Sequence, residues 1–302
     1  MEIINSEVQY LPQEEFITGM YKQIEKCGRI CYKSEDGIKE GTAEKFVHHR
    51  IIEGHYAMLE HGTIYLTVIF TVNDFFQIKR RYERNPYSHV NCTYSNDGRC
   101  PEVLYITTNL RVIEENNWYK DLIYMKEPTR YHERRITLRF ITSIGITREL
   151  IRHRVMSFAN ESTRYCNYNR SKFGKELTFI KPHWCKALGT FKNENSIYKD
   201  YQGAEALFLC NLLRAERDYM SLTNKEEGYS LNPQDARELL PLATKSDIVV
   251  TGFVKDWKHF FDLRLFGKTG KPHPDMFILA EMAKNELQKN NLWGLIYLDE
   301  EN

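Results

Sequence analysis

Ile136-Thr137-Leu138-Arg139-Phe140-Ile141-Thr142 alternates apolar and polar side chains as far as Ile141, and Thr147-Arg148-Glu149-Leu150-Ile151 follows closely. A period of two marks a strand with one buried face, and a hydroxyl residue ahead of a periodic run marks a helix start. The pair predicts a strand feeding a helix that starts at Thr147 and lies against a sheet. The next fourteen residues, Arg152-His153-Arg154-Val155-Met156-Ser157-Phe158-Ala159-Asn160-Glu161-Ser162-Thr163-Arg164-Tyr165, hold three arginines, a histidine and several hydroxyl or amide groups. That is chemistry for anions. Two steps along a helix turn a side chain by roughly 200°. If the helix continued through the triplet, Arg152 and Arg154 would face nearly opposite ways, each toward a different phosphorylated ligand. A Ser/Asn/Thr-rich loop is expected beyond it. A solvated charged face is the alternative reading of the same cluster.

Working outward, Phe16, Met20, Ile24 and Cys27 recur at helical spacing, so residues 14–32 read as an amphipathic helix. Thr42 is expected to cap a second helix over 42–52, and the β-branched and aromatic run 63–70 reads as a strand. A further strand is expected over 103–112, with a long polar surface loop at 85–101 punctuated by Asn85-Pro86 and Asp97-Gly98. Residues 196–222 predict one long helix with Tyr201, Ala204, Phe208 and Leu212 on a common side. Asn232-Pro233 starts a short helix that orients Arg237, 245–253 reads as a strand, and 256–266 as a helix ending at Gly267. The expectation is an α/β (α+β) fold in one elaborated domain over 1–302, a mostly antiparallel sheet flanked by helices.

The chain has 302 residues, 42% of them hydrophobic, which suits a sizeable core. Forty-two basic against 41 acidic residues leave a formal charge of +1, which argues against a long nucleic acid as the main partner. No apolar run approaches the ~20 residues that span a bilayer, and the N-terminus lacks a signal-peptide pattern, so a cytoplasmic location is expected. Seven cysteines without a C-x-x-C spacing read as free thiols, and no metal site is expected. Cys166 is open to two readings: a nucleophile whose pKa the arginines lower, or a structural thiol. The basic groups Lys79-Arg80-Arg81 with Arg84, and 130–135 with His132, read as phosphate-binding sites for a nicotinamide cofactor or an RNA, or as a solvated face or subunit contact.

Arg152-His153-Arg154, seven residues, then Ser162-Thr163-Arg164-Tyr165, resembles the signature of the flavin-dependent thymidylate synthases. Gly54-His55-Tyr56-Ala57-Met58-Leu59-Glu60-His61 is similar to that family's flavin-side segment, with Ala57 in place of the usual hydroxyl residue. Asp235-Ala236-Arg237-Glu238-Leu239-Leu240-Pro241-Leu242 and His259-Phe260-Phe261-Asp262-Leu263-Arg264 resemble two further family elements. Residues 72–135 look longer than a minimal member needs and are expected to be an insertion.

What the resemblance implies is conversion of dUMP to dTMP, with methylenetetrahydrofolate as carbon donor and NADPH-reduced FAD as hydride donor. It places Arg264 as the catalytic residue, beside the uracil ring, where a permanent cation stabilises charge developing over C5, C4–O4 and N3. For dUMP it implies Glu149, Arg152, Asn160, Glu161, Ser162, Thr163, Arg164, Arg237 and Arg264. For FAD it implies His55, Arg152, His153, Arg154, Asn160, Lys255 and His259. Asn160 stands where the family commonly has Glu or Gln, and Glu149 where it commonly has Gln. Active sites shared between subunits of a homotetramer are also implied. Ser162 reads as a binding residue rather than a nucleophile, because arginine cannot act as its base. Two other functions stay open on the residues alone: a nucleotide- or RNA-binding protein, and a flavoprotein of this fold without methyl transfer.

Overall fold

The computed structural model describes residues 1–226 and 228–297. Along the chain run β1 (Glu2–Ile4), β2 (Glu7–Tyr10), α1 (Phe16–Tyr32), α2 (Thr42–Ile52), β3 (Thr63–Ile69), α3 (Phe75–Glu83), β4 (His89–Tyr94), β5 (Pro101–Asn109) and α4 (Leu110–Asn116). Then follow β6 (Arg135–Ser143), α5 (Ile144–Leu150), β7 (Ser157–Asn160), β8 (Thr178–Ile180), β9 (Gly189–Thr190), α6 (Glu194–Asp200) and α7 (Gly203–Thr223). The chain closes with α8 (Pro233–Ala236), β10 (Lys245–Phe253), α9 (Val254–Arg264), α10 (Pro274–Lys289) and α11 (Trp293–Ile296). Among the described residues no helix is long and apolar enough to cross a membrane.

The quoted strand is the spine. β6 pairs with β10 in antiparallel register from Lys245↔Ser143 to Phe253↔Arg135, and the sheet order is β2-β6-β10-β7. Side chains alternate across this sheet. Leu138, Phe140, Ile248 and Val250 pack on one side with Trp257, Phe260 and Phe261 of α9 and with α10. Burying each such ring is worth roughly 1.5–3 kcal/mol, which fixes α9 on that face. Val249 and Ala159 point the other way, into a core built from α1, β3 and β5. A third core gathers β1, β8 and α7.

The expected antiparallel character holds for every ladder except β1 with β8, but the strands form three sheets, β8-β1-β9 and β3-β5-β4 being the others. Several local expectations are corrected. The helix after β6 starts at Ile144 instead of Thr147, because Ser143 is the cap and its Oγ accepts from Ile146 N at 3.3 Å. It ends at Leu150 and does not continue through Arg152-His153-Arg154, which form a turn. Pairing with β10 pulls the next residues, read as a loop, into β7, and that ladder replaces further helical hydrogen bonds. β5 stops at Asn109, whose side chain accepts from Val112 N and begins α4. The polar loop 85–101 contains β4, an edge strand on β5, between turns that do form at Asn85 and Gly98. The long helix is two, broken at Tyr201, which is extended and sets its ring against Phe191. Gly203, at φ 58, opens the second. Thr42 is the first helical residue of α2, with Gly41 ahead of it.

Candidate active site

Arg264 sits near the end of α9 and is held from two directions. Its Nε donates to His153 Nε2 at 3.0 Å, and its Nη1 donates to Glu149 Oε2 at 2.9 Å. His153 is buried in the turn after α5, edge-on to Phe260 at 5.1 Å and to His259 at 6.2 Å. Burial, then the charge of Arg264 and the neighbouring His259, lowers the His153 pKa from 6.5 to about 4. The ring is therefore neutral near pH 7, and only a neutral ring can accept from a guanidinium. Arg264 keeps a charge that its carboxylate partner, itself about a third exposed, only partly offsets.

The other half of the motif lies across the sheet. Asn160, on the α9 side, accepts from Ser246 Oγ at 2.9 Å, whereas the next residue, Glu161, turns to the α1 side and is buried. There Glu161 accepts from Tyr168 OH at 2.9 Å, from Lys245 Nζ at 3.1 Å and from Asp247 N at 3.1 Å. Asp247, fully buried, is bonded by Lys33, Lys245 and Arg139. Burial alone would raise the Asp247 pKa, but Lys245, Lys33 and Arg139 together hold it far below the usual carboxylate range. Ser162 N donates to Cys31 O at 3.2 Å, and Tyr165 meets Tyr32 edge-on, so the end of α1 clamps the segment that presents Thr163 and the exposed Arg164.

Arg152 and Arg154 are exposed, and neither side chain has a hydrogen-bond or ion-pair partner among the described residues. Lys255 and His259 lie exposed one turn apart on α9. His55 is exposed next to Glu53, at the start of the 3-10 turn Tyr56–His61 that packs against β7. Arg237 is exposed beside α8, 3.8 Å from Glu238, and does not touch Arg164 or Arg264. The structure thus brings Glu149, His153, His259 and Arg264 together, and separately Glu161 to Arg164. It does not join the two groups within the chain. Lys33, Arg139, Lys245 and Asp247 were not foreseen. A carboxylate next to the apolar run Ile248-Val249-Val250 of β10 was the one available signal, since a buried charge needs partners.

Cys166 is buried, and burial, with the nearby Glu161, raises its pKa to about 11. The arginines of the motif do not activate it. All seven cysteines are free.

A family model described as thymidylate synthase complementing protein matches residues 87–290. The chain belongs to the flavin-dependent thymidylate synthase family. Flavin-dependent thymidylate synthase from Pyrococcus abyssi is 31% identical over 142 residues, 46% of this chain and 50% of that protein. A probable flavin-dependent thymidylate synthase from Paramecium bursaria Chlorella virus 1 is 26% identical over 141 residues, 47% of this chain and 62% of that one. The chain therefore spans between 50% and 62% of the length of these curated relatives. Among solved structures, thymidylate synthase X from Helicobacter pylori with FAD and dUMP aligns over 97% of this chain and 98% of its own, at 14% identity and a TM-score of 0.41. A UMP/dUMP methylase from Streptomyces cacaoi bound with 5-Br UMP aligns over 98% of this chain and 96% of its own, at 14% identity and a TM-score of 0.45.

Proposed function

We propose that the protein is a flavin-dependent thymidylate synthase that methylates dUMP to dTMP, with FAD as cofactor and methylenetetrahydrofolate and NADPH as co-substrates. The observation that carries this reading is the suspended guanidinium of Arg264. Two of its five N–H groups are spent on His153 and Glu149, which leaves three for a ligand. A donor fixed in this way needs no reorganisation when negative charge builds on a uracil ring, and such a donor contributes about 3 kcal/mol. Arg264 is thus the catalytic residue, with His153 and Glu149 setting its orientation.

FAD would supply the hydride that completes the new methyl group. The donor set fits a dinucleotide: Arg152 and Arg154 are cations without acidic partners among the described residues, and Lys255, His259 and His55 add exposed donors nearby in sequence or fold. Asn160, on the Arg264 side of the sheet, completes the polar edge. The dUMP phosphate is assigned to Ser162, the Thr163 backbone and Arg164, with Arg237 from α8, and Arg152 toward the nucleotide's near side. Glu161 has its carboxylate engaged by Tyr168 and Lys245, so its part in binding dUMP is to hold the loop.

Arg264 and Glu161 lie toward opposite faces of one sheet, and no contact joins Arg264 to the Glu161–Arg164 loop among the described residues. This supports a site completed by a neighbouring copy, within the homotetramer that the resemblance implies. One domain over 1–302, elaborated over 72–135, is the unit we propose for that assembly.

The test is anaerobic addition of NADPH to the purified protein, with and without dUMP, followed by assay of dTMP after adding methylenetetrahydrofolate. A flavin band that NADPH bleaches, with dTMP formed, is expected. Colourless protein that binds no added FAD would defeat the proposal.

A further inference from the structure

Helix α3, which precedes the segment matched by the family model, carries Phe76 and Arg80 four residues apart, and Arg84 follows at its C-terminal cap. These side chains border a cleft of about 580 Å³ whose far wall includes Trp118 and Asn116. Arg81 lies in the same wall with its charge already met: both carboxylate oxygens of buried Asp121 accept from its Nη2, Tyr82 OH adds a bond to that carboxylate at 2.8 Å, and Arg81 stacks over Trp118 at 5.0 Å. The nearest other acid on the helix, Glu83, is 3.7 Å from Lys79. Arg80 and Arg84 have no acidic partner among the described residues. Two unpaired like charges four residues apart destabilise a helix, and here they stand exposed at the edge of a shallow, open cleft. The rim also holds Phe76, 60% exposed.

We propose that this cleft binds a phosphorylated nucleotide, with the phosphate held by Arg80 and Arg84 and the base laid against Phe76 and Trp118. The two guanidinia match the charge of a phosphate monoester and its several acceptors. Phe76 gives a flat ring a stacking surface, with Trp118, already covered by Arg81, closing the wall; neither inorganic phosphate nor a carboxylate would use such a surface. The volume is of the size that accommodates one small ligand lying in an open cleft. A polynucleotide would need a basic stripe extending past the cleft. This site stands apart from Arg264 and from the proposed methyl transfer, so either can fail without the other.

The experiment measures AMP binding to the intact purified protein by calorimetry and tryptophan fluorescence, in the presence of saturating dUMP. Adenosine, inorganic phosphate and a short single-stranded oligonucleotide serve as comparison probes. AMP should saturate and bind more tightly than adenosine or phosphate. R80A/R84A should weaken it about tenfold or more, as expected for losing two charge-assisted contacts, and F76A should weaken it by a smaller factor. All three positions are exposed or near the surface, so flavin content, melting temperature and dTMP formation should be unchanged. Absence of saturable AMP binding, binding unaffected by R80A/R84A, or an oligonucleotide that binds far more tightly than AMP would each overturn the proposal.

Discussion

Two charged groups flank the same sheet and are built on opposite plans. On the α1 side, Lys33, Lys245 and Arg139 face Asp247, Glu161 and Glu35, three cations against three carboxylates, mostly out of water. On the α9 side, Arg264 has one carboxylate and one neutral imidazole, and the adjoining Arg152 and Arg154 have no partner among the described residues. The first group is closed and self-satisfied, so its role is to hold shape. The second is underpaid in negative charge and half open, so it has donors to offer an anion. Charge density alone does not separate a site from a scaffold; what separates them is how many donors are left over.

The largest loss is expected at Asp247. Replacing it with alanine leaves Lys33, Lys245 and Arg139 to share only Glu161 and Glu35, and loss of one partner from such a group costs about 3–5 kcal/mol. Chemical denaturation should register that loss, and a near-normal midpoint would show that the α1-side group is not an anchor. At Arg264, the larger effect should fall on turnover. R264A removes the suspended donor, and we expect dTMP formation to drop by roughly 100- to 1000-fold, with little change in melting temperature. A mutant with undiminished turnover would remove Arg264 from the reaction.

Acidity sharpens the contrast in a graded way. His153 titrates at about 4 in the folded protein against 6.5 as a free side chain. Its folded pKa is depressed, so the stability it contributes is fully present above pH 6.5 and is lost as the pH falls from there through about 4. Asp247, also depressed, adds loss in a lower window, below the free carboxylate range. Turnover should therefore fall with His153 protonation, which removes the acceptor for Arg264, before the α1-side group gives way. Simultaneous loss of activity and structure in one sharp acid transition would contradict this order. The smallest expected effect is at Cys166. C166A should leave dTMP formation nearly unchanged and cost about 1 kcal/mol in stability as a lost buried contact; abolished turnover would revive a nucleophilic role.

Much of the fold was legible where one period ruled a long segment. The alternation from Ile136 and the apolar stretch from Ile248 mark β6 and β10, and the stripe Phe16, Met20, Ile24, Cys27 marks α1, because burial leaves a pattern in the sequence. Short elements were less legible. β4 is an edge strand with no fully buried side chain, so its polar residues look like those of a loop. β7 exists because β10 offers it a hydrogen-bonding edge, a tertiary fact with no local trace. The break at Tyr201 likewise depends on a ring partner ten residues earlier, Phe191. In the site, the arginines and histidines of the motif stood out as residue types at fixed spacing. Lys33 gave no sign at all, since its importance comes only from where the end of α1 meets β10.

β7 makes one further demand on the sequence. Asn160 and Glu161 are neighbours in the chain yet serve different sides of the molecule, and their assignment rests on a four-residue register with β10. Deleting one residue from Ser157–Asn160 would slide that register and exchange inward for outward at every position. Glu161 would then take the place of Asn160 on the α9 side, and Ser162 would stand where Lys245 now meets a carboxylate. The length of this segment is therefore as constrained as its chemistry, and an insertion or deletion there should be harder to tolerate than any single replacement within it.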